Sequence, residues 1–237
     1  MIKVALAGNP NCGKTTLFND LTGSKQHVGN WPGVTVDKKE GTCKKNKEIK
    51  ILDLPGTYSL SPYSAEEIVA GETITGKNGE NIDVVLNIVD GTSIERNLYL
   101  TLQIMETQVP MVIALNMMDE VEAAGTKIDV AKLSEELGVK IVPMVARSGK
   151  GIDDVVKAIE EIAASKSTPK NLPIFEEIKK VEAEAKSEEE KEEAEITVAD
   201  LRYKTIDAVV SATVKKGKSV ESAKETKSDK IDKILTN

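Results

Sequence analysis

Gly8, Gly13, Lys14 and Thr15 stand in the spacing G-x-x-x-x-G-K-[ST], along the stretch Gly8, Asn9, Pro10, Asn11, Cys12, Gly13, Lys14, Thr15. Residue types in that order suit one chemistry, the cradling of phosphate oxygens. Residues 2–7 before it are apolar and rich in β-branching, which predicts a strand. Residues 16–21 after it, opening at Thr16, place apolar side chains at helical spacing. A strand, a glycine loop and a helix in succession wrap backbone N–H groups around an anion and aim a helix N-terminus at it. In such a site Lys14 would reach the β- and γ-phosphates, and the Thr15 hydroxyl would hold a Mg²⁺ ion.

Two further groups stand at the ends of expected strands. Asp53 and Gly56 close an apolar run over residues 49–54. The carboxylate can hold a Mg²⁺ hydration shell, and the Gly56 N–H can meet a γ-phosphate. Asn116, Met117 and Asp119 follow the run 110–115, and Val145, Ala146 and Arg147 follow the run 140–144. A carboxylate such as Asp119 accepts two hydrogen bonds from guanine N1–H and its 2-amino group, a donor pair that adenine lacks. Taken alone, Asp-x-Pro-Gly is a turn signal and Asn-x-x-Asp a helix cap. Their spacing behind a phosphate loop is what points to a guanine nucleotide.

The elements that must position these groups alternate between strand and helix. Residues 24–36 hold Gly29, Asn30, Trp31, Pro32, Gly33 and Thr35 and read as a mobile loop. Residues 36–43 and 49–54 read as a hairpin joined by the lysine-rich turn 44–47. Residues 58–79 are polar and only partly helical in pattern, whereas 83–89 form the continuous apolar run of a buried parallel strand. Helices are expected over 94–106 and 152–162. The pattern implies an α/β fold with a mostly parallel sheet covered on both faces, whose ligands sit at the carboxyl ends of the strands.

Past residue 165 the strand pattern stops. Residues 166–173 read as a linker, and Ile174, Ile178, Val181 and Ala185 as one face of a helix. The Glu/Lys-rich run 182–195 is a solvated helix face or a turn between helices. A second helix is expected from Ile196 to Val214 and a third from Val220 to Leu235. So small an all-α piece would be marginal alone and is expected to pack on the first domain. The division is therefore residues 1–165, a linker, and residues 174–237.

Composition limits the function classes. A net charge of −7 argues against nucleic acid as a partner, and two cysteines suit a reducing compartment. No apolar run reaches 18 residues and no signal peptide is evident, so a soluble cytoplasmic chain is expected. His27 reads as a solvated polar residue, and Cys12 and Cys43 lack metal-ligand spacing. Trp31 is either a residue whose surroundings change with nucleotide state or a packing anchor.

Gly8–Thr15, Thr35, Asp53–Gly56, Asn116–Asp119 and Ala146 fall in the order of the G1 to G5 motifs of small P-loop GTPases. In finer wording, residues 8–15, 28–36 and 53–60 resemble the cytosolic G domain of the ferrous iron transport protein B (FeoB) family. The resemblance runs over residues 1 to about 165 and, more weakly, through residues 200–203. It implies a Ras-like G domain that binds GTP and GDP and hydrolyses GTP slowly with Mg²⁺. Thr35 would be the switch I Mg²⁺ ligand, flanked by Gly33 and Val34, with residues 58–79 as switch II. Met117 stands where many G proteins have lysine, and Val145 where Ser or Thr is usual, so only the Ala146 backbone contact carries over.

Small GTPases place a water-orienting Gln after Asp-x-x-Gly; this chain has Thr57, too short for that reach. In the resembling family, and in related potassium-activated GTPases, an Asn at the position of Asn11 helps bind K⁺, with backbone carbonyls of the Gly29–Trp31 region. That ion would stabilise charge as an arginine finger does. The implied partners are the family's own transmembrane domain and small accessory iron-transport proteins. Self-association into a homo-oligomer is left open, and the chain is expected to be a truncated piece at the cytoplasmic face of the membrane. Two other readings stand beside this one. They are a guanine-nucleotide switch module that barely hydrolyses, and a soluble ribosome- or tRNA-associated GTPase.

Overall fold

The computed structural model of the chain describes residues 1–23 and 26–217. β1 (Ile2–Gly8), β4 (Ile49–Asp53), β5 (Val84–Asp90), β6 (Met111–Asn116) and β8 (Lys140–Pro143) pair in parallel. β3 (Asp37–Thr42) runs antiparallel to β4, and β2 (Gln26–Asn30) antiparallel to β3. The sheet has seven strands in the order β2-β3-β4-β1-β5-β6-β8.

Side-chain alternation divides the core into two layers. Val4, Leu6, Ile51, Leu86 and Ile88 face one side, where Leu17, Phe18 and Leu21 of α1 (Lys14–Thr22) and Val155 and Ile159 of α6 (Ile152–Ser165) cover them. Ala5, Ala7, Leu52 and Val85 face the other, under α2 (Ala65–Thr75), α3 (Ile94–Glu106) and α5 (Val130–Leu137). β5 and β6 are buried along their whole length because helices lie on both faces, which is why they read as unbroken apolar runs. A fully buried side chain the size of Phe18 contributes about 1.5–3 kcal/mol through its removal from water.

Two long helices follow. α7 (Pro173–Glu184) starts with proline at its first turn, where the missing N–H costs nothing. α8 (Glu188–Thr213) starts at a capping box between Ser187 and Glu190. Both readings of the Glu/Lys run 182–195 are met in part, since residues 185–187 turn between α7 and α8 and residues 188–193 are an exposed helical stretch. Ile174, Phe175 and Ile178 of α7 and Val198, Ile206 and Val210 of α8 join the layer over α3 and α5, so the helical part and the sheet share one apolar core. After α8 the strand β9 (Val214–Lys215) pairs with β7 (Lys127–Ile128), which follows α4 (Met118–Ala123).

The structure differs from the sequence reading at several places. Residues 24–36 are not all loop, because residues 26–30 pair with β3 as an edge strand. α4, α5 and the β7–β9 pair were not anticipated. The third helix expected from Val220 to Leu235 lies outside the described residues. No helix among the described residues is long and apolar enough to cross a membrane.

Candidate functional site

β1 delivers the chain to Gly8, and residues 9–13 turn it into α1. The turn is conformationally demanding, with Asn11 at φ 65° and Gly13 at φ 93°. A Cβ on Gly13 would stand 2.3 Å from Asn116 Nδ2, and one on Gly8 would stand 2.6 Å from Ile88 Cγ2. Glycine at both positions thus brings the loop close to its neighbours and lets the backbone pass through a left-handed conformation. No side chain caps α1, so first-turn N–H groups such as those of Thr15 and Thr16 are without an intrahelical acceptor, the arrangement that suits an anion. Asn9 turns inward, donating from Nδ2 to the Arg96 carbonyl at 3.4 Å, while Pro10 is half-buried and Asn11 exposed.

Asn116 ties three loops together. Its Nδ2 donates to the Cys12 carbonyl at 2.9 Å, and its Oδ1 accepts from the Ala146 N–H at 2.8 Å. A buried amide with both ends satisfied fixes the phosphate loop, the loop after β6 and the loop after β8 relative to one another. Met117 has φ 62°, a left-handed turn that starts α4 and places Asp119 in its first turn. The Asp119 carboxylate pairs with the Arg147 guanidinium, which also lies 3.6 Å from Glu120 Oε1. Val145 is buried, so its short apolar side chain belongs to the core.

On the other side of the phosphate loop Lys14 and Asp53 form an ion pair, with side chains 12% and 9% exposed. The chain then passes Leu54 and Pro55 to Gly56, whose missing side chain would meet only ordinary contacts with Pro10 at 3.6 Å. Space is therefore not what glycine provides at Gly56. Thr57 is buried, and its N–H donates to the Gly8 carbonyl at 3.3 Å. A threonine held this low in the fold is too short to orient an attacking water as a glutamine would.

The segment before β3 is arranged differently from expectation. Gly29 is part of β2, and Trp31 is 3% exposed, with its carbonyl accepting from Val34 N–H at 3.3 Å. Gly29 is thus paired against Lys38 of β3 and the Trp31 carbonyl is engaged by Val34, so the segment is an edge strand and turn in place of the expected loop. Gly33 has φ 79°, and Thr35 stands exposed on the turn into β3.

Sequence reasoning missed the polar residues of α3. Thr101 Oγ1 donates to Asn87 Oδ1 at 2.7 Å, and Asn97 Oδ1 accepts from Asp90 N–H at 3.2 Å, both within the core beside the site. A polar residue in the otherwise apolar run 84–89 was the available signal. A groove of about 970 Å³ lies elsewhere, between α2, α3 and α8, lined by Tyr63, Ile68, Gln103 and Arg202 among others. The motifs do not converge on it.

Comparison with known proteins agrees with this geometry. Residues 2–159 match the family described as ferrous iron transport protein B. A Fe(2+) transport protein A/Fe(2+) transporter FeoB fusion protein of Porphyromonas gingivalis is 50% identical over 163 residues, covering 68% of this chain and 19% of that protein. A GDP-bound S. thermophilus NFeoB mutant is 38% identical with a TM-score of 0.76, covering 91% of this chain and 100% of that one. The cytosolic domain of the T. maritima FeoB iron transporter in a GMPPNP form is 34% identical with a TM-score of 0.78, covering 91% and 100%. The chain spans about a fifth of the length of the curated relatives it matches.

Proposed function

The chain belongs to the ferrous iron transport protein B family, and on that footing we propose that it binds GTP and GDP and hydrolyses GTP as the nucleotide-handling part of a ferrous-iron membrane transporter. The observation that supports the reading is the Asn116 bridge between Cys12 and Ala146, which ties the phosphate loop to the loops that carry Asp119 and Ala146. Asp119 accepts from guanine N1–H and the 2-amino group, while the Ala146 N–H, held by Asn116 Oδ1, would reach the guanine 6-oxygen only by sharing or giving up that bond. Lys14 and the first N–H groups of α1 hold the β- and γ-phosphates.

Water attacks the γ-phosphorus in line with the departing β-phosphate oxygen, giving GDP and phosphate. Lys14, the Gly56 N–H and the loop N–H groups stabilise the charge that spreads over the transferring oxygens. Thr15, Thr35 and Asp53 supply two hydroxyls and one carboxylate, a hard-oxygen set that fits Mg²⁺ shared with phosphate oxygens. Bound there, the ion would neutralise charge on those oxygens. Asn11, exposed in the loop, fits a role in holding K⁺. Gly29 and Trp31 do not fit it as they stand, and their part in a K⁺ site requires residues 29–35 to rearrange.

In this reading residues 1–165 are the G domain and residues 166–173 a linker. Residues 174–237 are a helical spacer toward a membrane part that carries the iron. Residues 29–35 and 53–79 are the two switches, held or released by the γ-phosphate. Partners would be that membrane part and accessory proteins such as the one fused to the P. gingivalis relative.

GTP hydrolysis in KCl against NaCl at fixed ionic strength, for wild type and Asn11→Ala, tests the reading. Severalfold faster turnover in K⁺, lost in the variant, is expected. Equal and negligible rates in both salts, with tight GTP binding, would favour a switch module that barely hydrolyses. The buried Thr57 is the observation that keeps this second reading in play.

A further inference from the structure

The segment following Gly56 is anchored at three points. The Thr57 N–H donates to the Gly8 carbonyl at 3.3 Å, the Arg96 guanidinium lies 5.5 Å from the centre of the Tyr58 ring, and Gln103 holds Leu60 and Ser61. The third differs in kind. Gln103 lies on α3 and is 7% exposed, and its Oε1 accepts the Leu60 backbone N–H at 2.9 Å. Its Nε2 donates to Ser61 Oγ at 3.4 Å, and Ser61 in turn bonds Ser59 Oγ through both its N–H and its hydroxyl at 2.9 Å.

Burying an amide costs desolvation and rotamer entropy that a leucine on the same helix face would not incur to the same extent. What the amide supplies in return is an acceptor for a backbone N–H that the local chain cannot satisfy. It also supplies orientation. One turn further along α3, the Glu106 carboxylate takes two hydrogen bonds from Arg202 of α8, each 2.8 Å. The residue that grips residues 59–61 is thus rigidly attached to the helix that α8 packs on.

We propose that Gln103 is a positioning residue for hydrolysis. By fixing Leu60 and Ser61 on α3, it holds Gly56 at the rim and so sets how the segment meets a γ-phosphate. The proposal rests on the nucleotide reading above, and it separates two parts of that site. The base contacts at Asn116 and Asp119 and the contacts of the phosphate loop do not run through Gln103, whereas the segment from Gly56 to Ser61 is held at its far end by it.

Gln103→Met keeps the side chain's length and volume and removes both hydrogen bonds; Gln103→Glu keeps the acceptor, and the Ser61 hydroxyl can turn to donate to it. Single-turnover GTP hydrolysis, affinities for GDP and GMPPNP, and amide exchange at Leu60 are measured for each. In Gln103→Met, hydrolysis is expected to fall about tenfold and the preference for GMPPNP over GDP to shrink, with GDP affinity unchanged within about twofold. Leu60 exchange rises in the same variant, and Gln103→Glu recovers most of the loss.

Faster Leu60 exchange with hydrolysis and nucleotide preference unchanged would overturn the proposal. So would a parallel loss of GDP affinity, which marks a residue that only supports the fold, or a Glu variant no better than Met. Failure of the wild type to bind either nucleotide would instead remove the reading on which the proposal stands.

Discussion

Cys12 occupies the middle of the phosphate loop, yet its side chain is 1% exposed and belongs to the apolar layer with Leu17, Phe18 and Ile88. Burial pushes its thiol up to about 11, outweighing the opposing pull of the Lys14 backbone N–H and charge. In the unfolded chain the same thiol ionises near pH 9.0. Because the folded value is the higher one, the stabilisation is complete below the unfolded value and is lost as pH rises through the folded one. Between about pH 9.0 and 11 the folded state should therefore lose about 3 kcal/mol through this group. Lysines and tyrosines titrate in the same range, so the informative quantity is a difference. Urea unfolding of wild type and Cys12→Ala across that window should show wild type losing more stability than the variant, and parallel curves would contradict the argument. At neutral pH the thiol is a packing group; the loop's chemistry belongs to its backbone and to Lys14.

At the scale of elements, legibility followed burial. β1, β5, β6 and β8 were readable because both of their faces are covered, α6 because one face is, and α3 because the sheet and α8 bury it from two sides. β2 was not, because Gln26, His27, Val28, Gly29 and Asn30 lie at an edge and carry no alternation; only pairing with β3 orders them. α5 offered signals that went unused, an Asp129 cap and Gly138 at its end. The loops bearing Lys14, Asp53, Asn116 and Asp119 were legible because their chemistry depends on residue type and spacing. The Asn87–Thr101 and Gln103–Leu60 contacts were not, since they join residues 14 and 43 positions apart in the chain.

The packing of Trp31 bears on both of its roles, as a reporter of nucleotide state and as a packing anchor. The indole is buried beside Lys38, whose ammonium lies 4.7 Å from the ring centre, but its Nε1 has no hydrogen-bond partner among the described residues. An orphaned buried donor costs about 1–3 kcal/mol. The orphaned donor thus offsets part of what the ring gains by burial, which lowers the cost of a rearrangement of residues 29–35. As the chain's one tryptophan it reports on itself. Its emission should begin blue-shifted, move to longer wavelength with GMPPNP and stay put with GDP. Unchanged emission with both would leave Trp31 a packing anchor alone.

Over the whole molecule, the question is whether α7 and α8 are a separate body. Arg202, 7% exposed, crosses from α8 to grip both Glu106 oxygens at 2.8 Å, and its guanidinium carbon lies 5.6 Å from the centre of the Tyr99 ring. Around it, apolar side chains of both helices sit in the layer that also covers β1 and β5. Beyond α8 the β7–β9 pair ties the far end of the helix behind α4. Joined through its core at several points, the molecule should melt in one calorimetric transition. Arg202→Met strands the Glu106 carboxylate, itself 22% exposed in its side chain. Since the stranded carboxylate keeps some contact with water, the cost should be about 2–3 kcal/mol, a fall in Tm of about 5–10 °C, with the transition still single. Adding Glu106→Leu removes the stranded charge and should restore most of the loss, because an apolar pair of similar volume can replace a buried ion pair at little cost. If Arg202→Met instead splits the melt and lowers only its first part, α7 and α8 unfold on their own. Any signal from the nucleotide rim would then have to cross a hinge to reach them, because α3 would no longer be a rigid joint.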